Sequence, residues 1–131
     1  MDIVALGGGM ANTFLLAQGH AIRKSLVEPS LIPECLSIIK KAHKKGCRLM
    51  LPMDGVVASS PTSPQHETVL LADPLQADHM ILDIGPATIQ NICTNIDQVK
   101  TLIWKGPVGL AEIPPLIWNP YPSPAHCKTY R

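Results

Sequence analysis

Short apolar runs that each end on a glycine corner constrain this chain more than any other feature. Ile3-Val4-Ala5-Leu6 runs into Gly7-Gly8-Gly9, Met80-Ile81-Leu82 leads to Gly85-Pro86, and Leu102-Ile103-Trp104 leads to Gly106-Pro107-Val108-Gly109. Between them lie stretches with helical spacing. Residues 10–19 place Ala11, Phe14 and Leu15 on one side and close on Gly19. A second helix is expected from a start signal at Ser30, with Glu34 nearby, through Leu31, Ile32, Cys35, Leu36, Ile38, Ile39 and Ala42 to Gly46. Residues 86–98 form a third, with Pro86 near its first turn, where its missing N–H costs nothing. Further strands are expected at residues 2–6, 48–51, 56–58, 68–71, 80–82 and 101–104, with Asp54-Gly55 as a turn. Strands alternating with helices predict an α/β chain with a doubly wound, mostly parallel sheet.

In such sheets ligands sit beyond the carboxyl ends of the strands, where the three glycine corners fall. Glycine there lets backbone approach a flat or charged ligand closely. The first corner nevertheless lacks the dinucleotide fingerprint, because Asn12 stands where the third glycine of G-x-G-x-x-G belongs. It also lacks the Lys-Ser/Thr of a P-loop. A structural corner and a ligand loop both remain open from the residues alone. Asp54 and Asp83 each close a strand, and an aspartate there serves turns and helix caps more often than chemistry. The five histidines show no H-x-x-x-H spacing, so no metal ligands are expected. No serine or cysteine stands in a nucleophile elbow, so no catalytic residue is assigned.

Composition narrows the partners. A net charge of +1 gives no basic field for nucleic acid or anionic lipid. Apolar runs stay well short of the roughly 20 residues that cross a bilayer, and no basic flank precedes a signal core. The cysteines at 35, 47, 93 and 127 form no C-x-x-C pair, and reduced thiols in a cytoplasmic protein are expected. The lysines at 40, 41, 44 and 45 suit the negative end of the second helix as a solvated face. Five prolines between residues 114 and 124 forbid regular helix there, so residues 116–131 are expected to be an irregular tail after a domain spanning 1–115.

Taken in order, five blocks resemble phosphoglycerate kinase, in its C-terminal nucleotide-binding domain. They are G-G-G-M-A-N-T-F-L-x-A-Q-G from Gly7, K-S-L-V-E from Lys24, L-P-x-D-x-V-V-A from Leu51, M-I-L-D-I-G-P-x-T from Met80, and K-T-L-I-W-x-G-P-V-G-x-x-E from Lys100. The resemblance implies a partial Rossmann-like domain and a glycolytic transferase that moves a phosphoryl group reversibly between ATP and 3-phosphoglycerate with Mg2+. It places Gly7, Gly8 and Gly9 along the adenine and Ile81 with Leu82 over the base's other side. Gly106, Pro107 and Val108 would line the same cleft, and Glu112 would accept from the ribose hydroxyls. Lys105 stands where the family has an asparagine facing the phosphates, Arg23 where it has a glycine, and Ala111 where it has a phenylalanine.

The family's 3-phosphoglycerate domain, its early phosphate-binding lysine and its late G-G-G-D-S/T loop have no counterpart in these residues. Binding of adenine nucleotide is therefore expected from the chain, with 3-phosphoglycerate only where the N-terminal domain is supplied. A sheet without the family's earlier strands is further expected to leave an edge unpaired.

Overall fold

The computed structural model describes residues 1–105, 108 and 109. In chain order they form β1 (Ile3–Ala5), α1 (Gly8–Ala17), a 3-10 turn (Pro29–Leu31), α2 (Ile32–Lys44), β2 (Arg48–Met50), β3 (Asp54–Ala58), β4 (Glu67–Leu70), β5 (Met80–Ile84) and α3 (Pro86–Ile96). The class is α/β, as the alternation predicts.

β1 and β2 pair in parallel, Ile3 opposite Arg48 through Ala5 opposite Met50, with α1 and α2 forming the crossover between them. The second sheet has the order β4-β3-β5, and β3 is antiparallel to both neighbours. The mostly parallel arrangement thus holds at β1–β2 and gives way in the β4-β3-β5 sheet. Between β3 and β4 the reason is chain length: residues 59–66 are too few for the dozen-residue crossover that a parallel pair needs.

Both glycine stops act as expected. Gly19, with φ of 91°, donates to the Leu16 carbonyl at 2.9 Å after α1. Gly46, with φ of 69°, follows α2 and lets Cys47 N–H reach the Ala42 carbonyl at 2.9 Å. These left-handed positions satisfy carbonyls that a helix end leaves orphaned.

Three local expectations need correction. Ser30 does not cap α2; it lies in the 3-10 turn begun by Pro29, Leu31 takes the cap position, and Pro33 fills the first helical turn without needing a donor partner. Asp54-Gly55 is not a turn but the first half of β3. A Cβ at Gly55 would stand 3.2 Å from Ile81 Cγ2 and 3.3 Å from the Asp83 carbonyl, so glycine there serves close packing across the sheet. Residues 101–104 form no strand; Ile103 is 80% exposed, and no ladder among the described residues takes this segment in. Cys35 and Cys47 are free thiols, whereas Cys93 is disulfide-bonded, which the expectation of reduced thiols did not include.

The core lies in three clusters. Leu15, Ile22, Val57, Leu71 and Leu75 fill the space between α1 and the β4-β3-β5 sheet. Met50, Ile84, Ile89, Ile92 and Cys93 pack α3 against the strands, with Ile3 and Val108 at the margin. Ala58 and Leu82 form a smaller group with Val56 and Met80. No helix among the described residues is long and apolar enough to cross a membrane.

Candidate functional site

The carboxyl ends of β1 and β5 and the amino end of the antiparallel β3, which Asp54 opens rather than closes, gather the glycine corners, and each glycine answers to a particular neighbour. Gly7 is extended and precedes α1; a Cβ on it would stand 2.6 Å from Val108 Cβ and 2.8 Å from the Val108 carbonyl. Gly8, with φ of 62°, donates its N–H to that carbonyl at 2.8 Å. A side chain would strain the second position and collide at the first. A Cβ on Gly9 would stand 3.2 Å from Leu26 Cδ2. The triple glycine is therefore a corner that one strap, Val108–Gly109, closes from above.

At its other end the strap rests on β5. A Cβ on Gly109 would overlap the Asp83 carboxylate. Asp83 is 6% exposed, and its Oδ1 accepts from the Ile84 N–H at 2.8 Å. Burial outweighs that hydrogen bond and pushes its pKa up to about 6.

Asp54, equally buried, is treated differently. Its carboxylate accepts from Ala87 N–H at 2.9 Å, Thr88 N–H at 2.9 Å and the Thr88 hydroxyl at 2.5 Å. It thus caps α3 from the neighbouring strand, in place of Gly85, which has no side chain to do so. A Cβ on Gly85 would overlap this same carboxylate.

Polar side chains knit the corner together: Asn12, noted in the sequence only for the glycine it replaces, and Thr13 and Ser25, which carry no motif. Asn12 Nδ2 donates to the Leu26 carbonyl at 3.2 Å, and Thr13 Oγ1 accepts from the Glu28 N–H at 3.1 Å. Ser25 Oγ accepts from the Ile81 N–H at 2.8 Å, across 56 residues. Their only sequence signal is polarity within apolar surroundings. Asn12 occupies the missing third glycine position because its amide ties α1 to the following loop.

Of the expected site residues, the structure brings Val108 against Gly7 and Gly8. Ile81 packs with Leu15, Ile22 and Val57, whereas Leu82 packs with Ala58. Adjacent strand residues face opposite ways, so these two side chains do not share one pocket wall. Lys105 is exposed. Gly106, Pro107 and Glu112, and the tail from 116 onward, lie outside the described residues. An apolar groove of about 620 Å3 opens elsewhere, between the helices and β1–β2, lined by Val4, Leu6, Met10, Phe14, Ile38 and Leu49 among others. Among the described residues no three His, Cys, Asp or Glu side chains gather to hold a metal ion, so no step through Mg2+ is derived.

The glycine corner, its strap and the polar knit fall within a segment that matches a known family model. Residues 1–117 match the model for phosphoglycerate kinase. The chain belongs to the phosphoglycerate kinase family. Phosphoglycerate kinase of Caulobacter vibrioides is 45% identical over 115 residues, covering 88% of this chain and 29% of the relative. That of Methylobacterium radiotolerans is 47% identical over 116 residues, with the same shares. The phosphoglycerate kinase structure from Coxiella burnetii superposes with a TM-score of 0.90 at 32% identity, covering 97% of this chain and 32% of that one. The Pyrococcus horikoshii phosphoglycerate kinase, 22% identical with a TM-score of 0.72, shares the fold. The chain spans less than a third of the length of these relatives.

Arg23 holds φ of 49°, the left-handed conformation that glycine adopts without strain, and its Nε donates to the Leu75 carbonyl at 3.2 Å. A positive φ suits the glycine that the resemblance implies at this position.

Proposed function

We propose that these residues form the adenine and ribose wall of a phosphoglycerate kinase, an enzyme exchanging a phosphoryl group between ATP and 3-phosphoglycerate in the cytoplasm. The family match over residues 1–117 carries this reading. Gly7, Gly8 and Gly9 lie along the base, with Leu82 or Ile81 beyond it. Gly106, Pro107 and Val108 would line the cleft, and Glu112 would accept from the ribose hydroxyls, which a carboxylate can do in pairs. The fit of adenine rests on the corner itself. A Cβ on Gly8 would meet nothing nearer than the Val108 carbonyl at 3.9 Å, so the corner keeps an open face beside an α1 terminus with no side-chain cap. ATP supplies the transferable phosphoryl group and Mg2+ neutralises its charge; this chain's residues bind and orient the base.

Phosphoryl transfer depends on positioning both reactants and on stabilising charge at the transferring group. The 131 residues alone supply neither the acceptor site nor a phosphate clamp, so they bind adenine nucleotide weakly and turn nothing over. Calorimetry on the purified chain is expected to give ATP and AMP affinities within tenfold of each other, a difference of about 1.4 kcal/mol. ATP binding better by more than that would reveal a phosphate site, with Lys105 the first residue to replace. Phosphoglycerate kinase turnover that Glu112→Ala abolishes would overturn the assignment of the chain as a binding wall alone.

A further inference from the structure

We propose that Asp83 is a positioning residue for the adenine site: its buried carboxylate seats Gly109 and so sets how closely Val108 closes on the Gly7–Gly8 corner. The inference rests on the base-site reading above. Three contacts form one continuous path. The Asp83 carboxylate lies against Gly109 where any side chain would overlap it. Gly109 follows Val108 directly, and the Val108 carbonyl accepts the Gly8 N–H at 2.8 Å. The Val108 side chain packs against the core cluster that contains Ile84, the residue after Asp83. Moving Asp83 toward water would lift the strap at one end while Gly8 holds the other.

The carboxylate is where such a movement has a driving force. Among the described residues Asp83 has a single backbone donor, the Ile84 N–H, against the burial that raises its pKa to about 6. The described elements packed on β5 offer little to offset this. Asp54 on β3 is the titratable group of the adjoining strand, and its carboxylate is engaged by Ala87 and Thr88. α1, which packs on β5, carries no ionisable side chain, and neither does α3, whose Cys93 is disulfide-bonded. Closing the strap removes water from the carboxylate, so closure favours the protonated form. By linkage, protonation then favours closure and, with it, base binding.

Adenosine is the probe, because it has no phosphate that titrates in this range. The affinity of the purified chain for adenosine is expected to be about fivefold tighter at pH 5 than at pH 7.5, at the low end of usual site couplings. Asp83→Asn, neutral at both values and of the same shape, is expected to bind equally at both and as tightly as the unaltered chain at pH 5. A second measurement needs no variant: the carboxyl carbon of Asp83, followed by NMR, should titrate near pH 6 and shift upward when adenosine is added. Absence of adenosine binding at either pH overturns the base-site reading and this inference with it. Equal binding at the two pH values, a pH dependence that survives in Asp83→Asn, or a midpoint unmoved by adenosine overturns this inference alone.

Discussion

Replacing Asp54 by alanine should be among the most damaging single changes to the described fold. The side chain is 3% exposed and accepts three hydrogen bonds, two from the first-turn N–H groups of α3 and one from the Thr88 hydroxyl. Truncation leaves the Thr88 N–H in an interior without an acceptor and strips the cap from the partly buried Ala87 N–H. The Thr88 hydroxyl is better placed, because the Asp54 carbonyl lies 3.3 Å away and survives the substitution. A lost helix cap costs about 1 kcal/mol, and each orphaned buried donor about 1–3 kcal/mol. Allowing for partial entry of water, Asp54→Ala should cost about 3–5 kcal/mol. Domains of this size retain only about 5–15 kcal/mol of net stability.

Asp54→Asn should cost about half as much, since its carbonyl oxygen still accepts from Thr88 N–H while its amide faces Ala87 N–H. Urea unfolding followed by far-UV circular dichroism measures both, and the midpoint should fall with an unchanged m-value. In a double-mutant cycle with Thr88→Ala the two changes should be strongly non-additive, because they remove one network. An Asp54→Ala chain within 1 kcal/mol of the unaltered one would refute the cap and free Asp54 for another role.

Two further changes bear on the site. Asp83 has a folded pKa of about 6 against 3.8 for the free group, so its contribution is fully present below pH 3.8 and is lost as pH rises through 6. The loss approaches about 3 kcal/mol. Unfolding midpoints should therefore show Asp83→Asn more stable than the unaltered chain at pH 7, with the gap closing toward pH 4; a pH-independent gap contradicts it. Arg23→Gly relieves a left-handed residue, a gain of about 1 kcal/mol, and loses a partly exposed bond to Leu75. A net change between zero and +1 kcal/mol is expected in the same assay, and a clear loss would mean that the Arg23 side chain outweighs its backbone strain.

What the sequence made legible was local. Gly19 and Gly46 end helices because a left-handed residue is needed just there, and Pro86 opens α3 because its ring suits a first turn. Arg23 could be flagged as a strained substitute because the φ requirement belongs to the position. What stayed hidden depends on a partner far along the chain. Asp54-Gly55 carries a turn signature, yet its neighbours Leu70, Val69 and Ile84 draw it into a strand. The Ser25 bond to Ile81 and the cap that Asp54 gives α3 cross 56 and 34 residues, and no window of local pattern contains both ends. Residues 101–104 show the converse: apolar, β-branched sequence without a paired backbone is not a strand.

The two aspartates at the strand ends show where this domain fixes its geometry and where it leaves a degree of freedom. Both are buried, Asp54 opens β3 while Asp83 stands near the end of β5, and each lies where a glycine cannot be replaced without overlap, Gly85 at Asp54 and Gly109 at Asp83. Asp54 meets three donors on a helix that packs into the core through Ile89 and Ile92. Displacing it would break all three bonds at once, so it behaves as part of the frame. Among the described residues Asp83 meets one donor, on its own backbone, and a strap that also accepts the Gly8 N–H through the Val108 carbonyl. Little is lost when that carboxylate moves and something is gained by wetting it. Under the base-site reading proposed above, a boundary between rigid and yielding parts lies beside the nucleotide. Here it falls between β3, whose carboxylate is fully engaged, and β5, whose carboxylate is not.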